Sequence, residues 1–136
     1  MFEFETVLSP EQISPLTLAF VGDAVYEVYV RTMVAAGSKA SAGVLHRTAV
    51  RYVCAGAQSA AVDALCDKLT EQELTIYKRG RNAHPHTSAK NADIVDYRRA
   101  TGLEALVGYL YLKKDFTRLE EIMRLAFESC EKPENA

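Results

Sequence analysis

The segment Leu16–Val34, LTLAFVGDAVYEVYVRTMV, decides how the rest of the chain is read. It is apolar and of helix length, and between Leu16 and Tyr26 its single charge is Asp23. Leu16, Leu18, Phe20, Val21, Val25, Val28 and Met33 wrap most of a helical circumference, the pattern of a helix with neighbours on several sides. A carboxylate in that setting has to protonate, pair or bind a metal, because an unpaired buried charge costs several kcal/mol.

A second segment, Ala100–Leu112 (ATGLEALVGYLYL), repeats the arrangement with Glu104 as its only charge. Core hydrogen bonds or an arginine could satisfy one such acid. Two of them, on separate core helices, favour a shared divalent cation held by Asp23 and Glu104. Hard oxygen donors suit Mg²⁺, with Mn²⁺ as a substitute. Gly22, Gly102 and Gly108 beside these acids permit close backbone approach, at about 1 kcal/mol each in helix propensity. Glu27 lies one turn after Asp23, where pairing with Arg31 is expected over a place in the site.

Working outward, Ser14 and Pro15 form a helix start, a serine cap followed by proline at the first helical position, and Gly37 supplies the stop. Ser41 caps a second helix over about 42–55, with Val44, Leu45, Val50 and Val53 inward and His46, Arg47 and Arg51 outward. Gly56 marks a break before a third helix over 58–69. Thr70 and Glu73 have the spacing of a capping box and open a short helix through Leu74, Ile76 and Tyr77. Residues 80–90, GRNAHPHTSAK, lack apolar periodicity and read as a loop. A fifth helix follows from 91 or 93 to 112, and Asp115 caps a sixth over 116–129. No apolar–polar alternation bounded by hairpin turns occurs, so the fold is expected to be all-α.

The 136 residues suffice for one domain, 1–136, with a real core. No apolar run has the length of a membrane span. The acidic start MFEFETVLSPEQ argues against a signal peptide, and hence for a cytoplasmic protein. Cys54, Cys66 and Cys130 form no CxxC pair and sit in helical apolar patterns, which suggests free thiols used as small core residues. With a net charge of −2, overall charge implies no nucleic-acid partner. Local clustering does. Between Lys78 and Arg99 lie six of the sixteen lysines and arginines, and 78–90 contains no acid. Lys78, Arg79, Arg81, His84 and Lys90 therefore form a candidate phosphate-gripping set ahead of the helix that carries Glu104. His84 and His86 lack further ligands at zinc spacing.

These motifs resemble the ribonuclease III catalytic domain, and more narrowly the Mini-ribonuclease III class, which implies a single catalytic domain with no separate RNA-binding domain. LAFVGDAVYEVYVR (18–31) is similar to the family's signature helix, YRRATGLEALVGYLYL (97–112) to its second acidic helix, and RGRNAH (79–84) to the basic loop of the mini class. The resemblance implies that Asp23 and Glu104 are catalytic metal ligands, that Phe20 reaches into a partner subunit, and that the bundle forms a homodimer. It further implies Mg²⁺-dependent cleavage of double-stranded or structured RNA to 5′-phosphate ends. Large-subunit ribosomal RNA precursors are the implied substrate, with a ribosomal protein that presents the RNA as a candidate partner. Where the family signature has further acids, this chain has Leu16, Ala19 and Thr101. The alternatives are a non-catalytic dimeric binder of structured RNA and a protein-interaction bundle with structural acids.

Overall fold

A computed structural model of the protein describes residues 2–83 and 93–131. Among them the regular structure is helical, as expected: α1 (Pro15–Ala36), α2 (Ala42–Val53), α3 (Ala55–Leu65), α4 (Glu71–Asn82), α5 (Ile94–Leu112) and α6 (Phe116–Glu131). Short 3₁₀ turns occupy Pro10–Gln12 and Cys66–Lys68.

The caps follow local chemistry. Ser14 Oγ accepts from the Thr17 N–H at 3.3 Å, and Pro15 occupies the first turn of α1. The capping box opens α4, with Thr70 Oγ1 accepting from the Glu73 N–H and Glu73 Oε1 from the Thr70 N–H. Asp93 and Asp115 accept first-turn N–H groups of α5 and α6.

The helix enclosed on all sides is α5, not α1. Helices α1, α3, α4 and α6 all pack on α5, and every residue from Ala100 to Tyr111 except Glu104 is buried. Its Leu103, Leu106 and Leu110 meet Leu18, Tyr26, Leu65, Ile76, Ile122 and Met123 in one core. Helix α1 buries Leu18, Gly22, Val25, Tyr26 and Val30. Its opposite side stays open, with Phe20 79% and Val28 57% exposed. The continuous apolar circumference of α1 thus exceeds what one chain can cover.

Four local expectations need correction. Val44 and Val50 are exposed and Ala49 is the buried residue of α2, because the narrow seam of this peripheral helix takes a small side chain. The break before α3 falls at the extended Cys54 rather than at Gly56. The cysteines are not core residues. Cys54 and Cys66 lie exposed at helix junctions, and Cys130 is half-buried on α6. Helix α4 runs on to Asn82 instead of yielding to a loop at residue 80. Gly80 serves close packing there, since a Cβ would fall 2.6 Å from Ala105 Cβ and 3.0 Å from the Gly102 Cα. No helix among the described residues is long and apolar enough to cross a membrane.

Candidate active site

The site is built where α1 crosses α5. A Cβ on Gly22 would overlap the carbonyl oxygen of Glu104, and one on Gly108 would overlap that of Leu18. Only glycine permits this approach, and it draws the main chain of α1 against the residue carrying the second carboxylate. Asp23 follows Gly22 directly and lies within hydrogen-bonding reach of the Glu104 side chain. The two sequence-predicted acids do come together.

Asp23 differs from expectation in one respect: its side chain is exposed, not enclosed. It stands at the border between the packed and open sides of α1, on the rim of an apolar groove lined by Phe2, Phe4, Phe20, Ala24, Val28 and Tyr111. Glu104 is the enclosed member. Burial, then the charge of Asp23, pushes its carboxyl up to about 8, with Glu27 adding a smaller push. Glu27 itself pairs with Arg31 at 2.7 Å, as its spacing suggested.

One hydrogen bond opposes that upward shift. Gln58 Nε2 on α3 donates to Glu104 Oε2 at 3.3 Å, although Gln58 is only 2% exposed. Little in the local pattern marks it, because an amide in AGAQSAAVDAL looks like any polar residue of a small-residue helix. Tyr26, one turn after Gly22, is buried close to Glu104, and burial raises its phenol above the ordinary range.

Among the described residues, no group of three His, Cys, Asp or Glu side chains is arranged to hold a metal ion. The donor set is a carboxylate pair whose mutual repulsion a cation would relieve. Two hard oxygens fit a divalent ion that keeps most of its waters, as Mg²⁺ does. The positions where the family signature is acidic are otherwise used. Leu16 is exposed on the open side of α1, Ala19 is buried, and Thr101 is buried with Oγ1 donating to the Tyr97 carbonyl.

The basic residues divide by role. Lys78, Arg79 and Arg81 lie on the last turns of α4, not in a loop. Lys78 is exposed. Arg79 is committed to the fold, donating to the carbonyls of Glu11 and Ile13 in the lead-in segment. Arg81 sits over the Tyr77 ring, 5.8 Å from its centroid, and lines a depression with Asn82, Val95, Arg98 and Arg99. Arg99 is engaged by Ser59 Oγ and Asp63. His84 and Lys90 lie outside the described residues.

A family model described as the ribonuclease III domain matches residues 16–115, from the first residues of α1 to just past α5. The chain belongs to the ribonuclease III family. It is 49% identical over 115 residues to the Mini-ribonuclease 3 of Enterococcus faecalis, covering 83% of this chain and 87% of that protein. It is 46% identical over 122 residues to that of Clostridium tetani, covering 89% and 81%. A crystal structure of a protein from Fusobacterium nucleatum superposes with a TM-score of 0.78 at 28% identity, covering 86% of this chain and 93% of that one. The chain is thus a Mini-ribonuclease 3-type member of a family of endoribonucleases that act on double-stranded RNA, which decides for the enzyme over a non-catalytic binder.

Proposed function

We propose that this ribonuclease III family member is a Mg²⁺-dependent, homodimeric, cytoplasmic endonuclease that cleaves duplex segments of large-subunit ribosomal RNA precursors, leaving 5′-phosphate ends. The observation that carries the metal site is the juxtaposition of Asp23 and Glu104 at the glycine crossing of α1 and α5. Asp23 and Glu104 are the catalytic pair that holds the cation, with Mn²⁺ as a substitute. Bound there, the metal supplies an activated water for attack on phosphorus and neutralises charge on the phosphate oxygens.

The residues of the chain do the rest. On taking up the cation, Glu104 gives up the proton that burial and Asp23 otherwise hold on it. The open mouth on the Asp23 side admits a bulky phosphodiester, with the half-buried Glu104 behind it. Lys78, Arg81 and Arg98 offer exposed or half-exposed charge to the backbone of an A-form duplex, and His84 and Lys90 extend the same segment. Recognition of that kind reads shape and phosphates, so sequence preference is modest.

Dimer formation is supported by the uncovered side of α1. The aromatic side chains of Phe2, Phe4 and Phe20 edge a continuous apolar groove, a surface that normally marks an interface. A ribosomal protein that presents the RNA completes the proposal as an accessory partner.

The test is cleavage of long duplex RNA in Mg²⁺ at low salt. Asp23→Asn and Glu104→Gln should each abolish product while leaving the helical fold and duplex binding intact. Full turnover in either variant would remove the carboxylate pair from the mechanism.

A further inference from the structure

We propose that Gln58 is a positioning residue for the metal site: its buried amide orients the Glu104 carboxylate so that the free oxygen faces Asp23 and the cation. This inference rests on the metal-site reading above and extends it to a third helix.

The geometry is specific. The Nε2–Oε2 bond spans 46 residues of sequence, and it is the one side-chain hydrogen bond that Gln58 makes among the described residues. An amide placed in an apolar helix costs stability unless it is bonded. Here that bond goes to a ligand carboxylate rather than to a backbone group. Both sequence neighbours of Gln58 are fastened as well. Cys130 Sγ donates to the Ala57 carbonyl at 3.6 Å. Arg99, one turn before Glu104, donates Nη1 to Ser59 Oγ at 3.0 Å and pairs with Asp63 on the next turn of α3. Helix α3 is thereby held to α5 by Arg99 and to α6 by Cys130, in the register that sets the amide against Oε2.

A glutamate has three side-chain torsions, and the backbone of α5 fixes none of them. Gly22 and Gly108 set the distance between the helices, but not the direction of the carboxylate. Among the described residues, this two-acid site has no third His, Cys, Asp or Glu ligand to restrain the cation. The orientation of Glu104 therefore matters more than it would in a four-acid cluster. Groups that hold a metal ligand in place commonly contribute 10–100-fold in metal affinity.

The experiment measures Mn²⁺ binding to the full-length metal-free protein by titration calorimetry, for wild type, E104Q, Q58M and Q58N. Methionine keeps the length and apolar stem without the donor, and asparagine keeps the amide but withdraws it by a methylene. Both Gln58 variants should bind Mn²⁺ about tenfold more weakly, with circular dichroism and metal-free affinity for duplex RNA unchanged and a lower melting temperature in Q58N, whose buried amide is left unbonded. The Mn²⁺ concentration that half-saturates cleavage should rise in parallel, while KM for RNA stays fixed. Wild-type Mn²⁺ affinity in either folded variant overturns the inference, and loss of the fold in both would assign Gln58 to the core alone. Wild-type affinity in E104Q would instead overturn the metal site itself, so the two failures are distinguishable.

Discussion

Gly22 of α1 meets the main-chain carbonyl of Glu104 on α5 with no room for a side chain between them. Packing and chemistry share this contact, because the crossing that closes the core also sets the spacing of Asp23 and Glu104. A methyl group at Gly22 must push the helices apart. Gly22→Ala should therefore cost about 2–3 kcal/mol, in the range of overpacked cores, despite the gain in helix propensity. Its cleavage rate should fall well beyond what the unfolded fraction explains. Urea denaturation gives the first quantity and single-turnover cleavage the second. A stable, fully active Gly22→Ala would mean that the two helices do not need this approach.

How much of this was legible in the sequence differs by residue. The caps at Ser14, Ser41, Thr70 and Asp115 were readable because they are local chemistry, and four of the six helices open on them. Asp23 and Glu104 stood out as lone charges in apolar helices, and the glycines beside them signalled a close crossing. The misreadings came from long-range packing. Gly80 looked like a helix breaker, but α5 presses on it from outside the local sequence. Arg79 looked like a free phosphate ligand, but the lead-in carbonyls that it binds are more than sixty residues away. Gln58 was invisible because nothing near it marks its partner.

Arg118 and Glu73 make the most enclosed ion pair among the described residues. Arg118 Nε and Nη2 reach the two carboxylate oxygens at 2.8 and 2.9 Å, and Nη2 also donates to the Lys68 carbonyl. Burial works against the charge on Glu73, but the bonds from Arg118 and Thr70 hold its carboxyl below the usual range. Arg118→Ala should cost about 3 kcal/mol by leaving a buried carboxylate without its partner, or a fall in melting temperature of about 10 °C. The stability contributed by Glu73 is present above the unfolded carboxyl value and is lost as pH falls through the lowered folded one. Thermal melts of wild type and Arg118→Ala should therefore converge in strong acid. A constant gap down to pH 2 would contradict the pairing.

Arg79 and Arg81 are separated by two positions and should fail differently. Arg79→Ala removes the donors that tether Glu11 and Ile13, so it should lower stability by about 1–2 kcal/mol. Arg81→Ala should leave stability nearly unchanged, weaken duplex binding and reduce its salt slope by about one unit. Denaturation curves together with binding isotherms at several salt concentrations separate the two. A stability loss confined to Arg81→Ala would reverse the assignment.

Phe20 projects from α1 with most of its ring uncovered, beside Phe2 and Phe4. If a second subunit covers this groove, wild type should sediment as a dimer. Phe20→Asp should then be a folded monomer whose cleavage falls at least tenfold, because the groove that borders Asp23 loses its partner surface. Analytical ultracentrifugation decides the matter. A Phe20→Asp protein that remains dimeric would place the interface elsewhere.

The metal-free protein should register Glu104 in its pH–stability curve. The folded carboxyl, held near 8 by burial and Asp23, binds its proton more tightly than the unfolded chain does, whose value is about 4.3. The stability it confers is fully present below the unfolded value and is lost as pH rises through about 8. In a chelator, wild type should therefore lose melting temperature between pH 5 and pH 8 relative to Glu104→Gln, which carries no such charge. Saturating Mn²⁺ should raise the wild-type melting temperature more at pH 8 than at pH 5, because at the lower pH the cation must first displace a proton. If wild type and Glu104→Gln show parallel pH profiles, Glu104 is not the crowded carboxyl that its position between Asp23 and the core makes it.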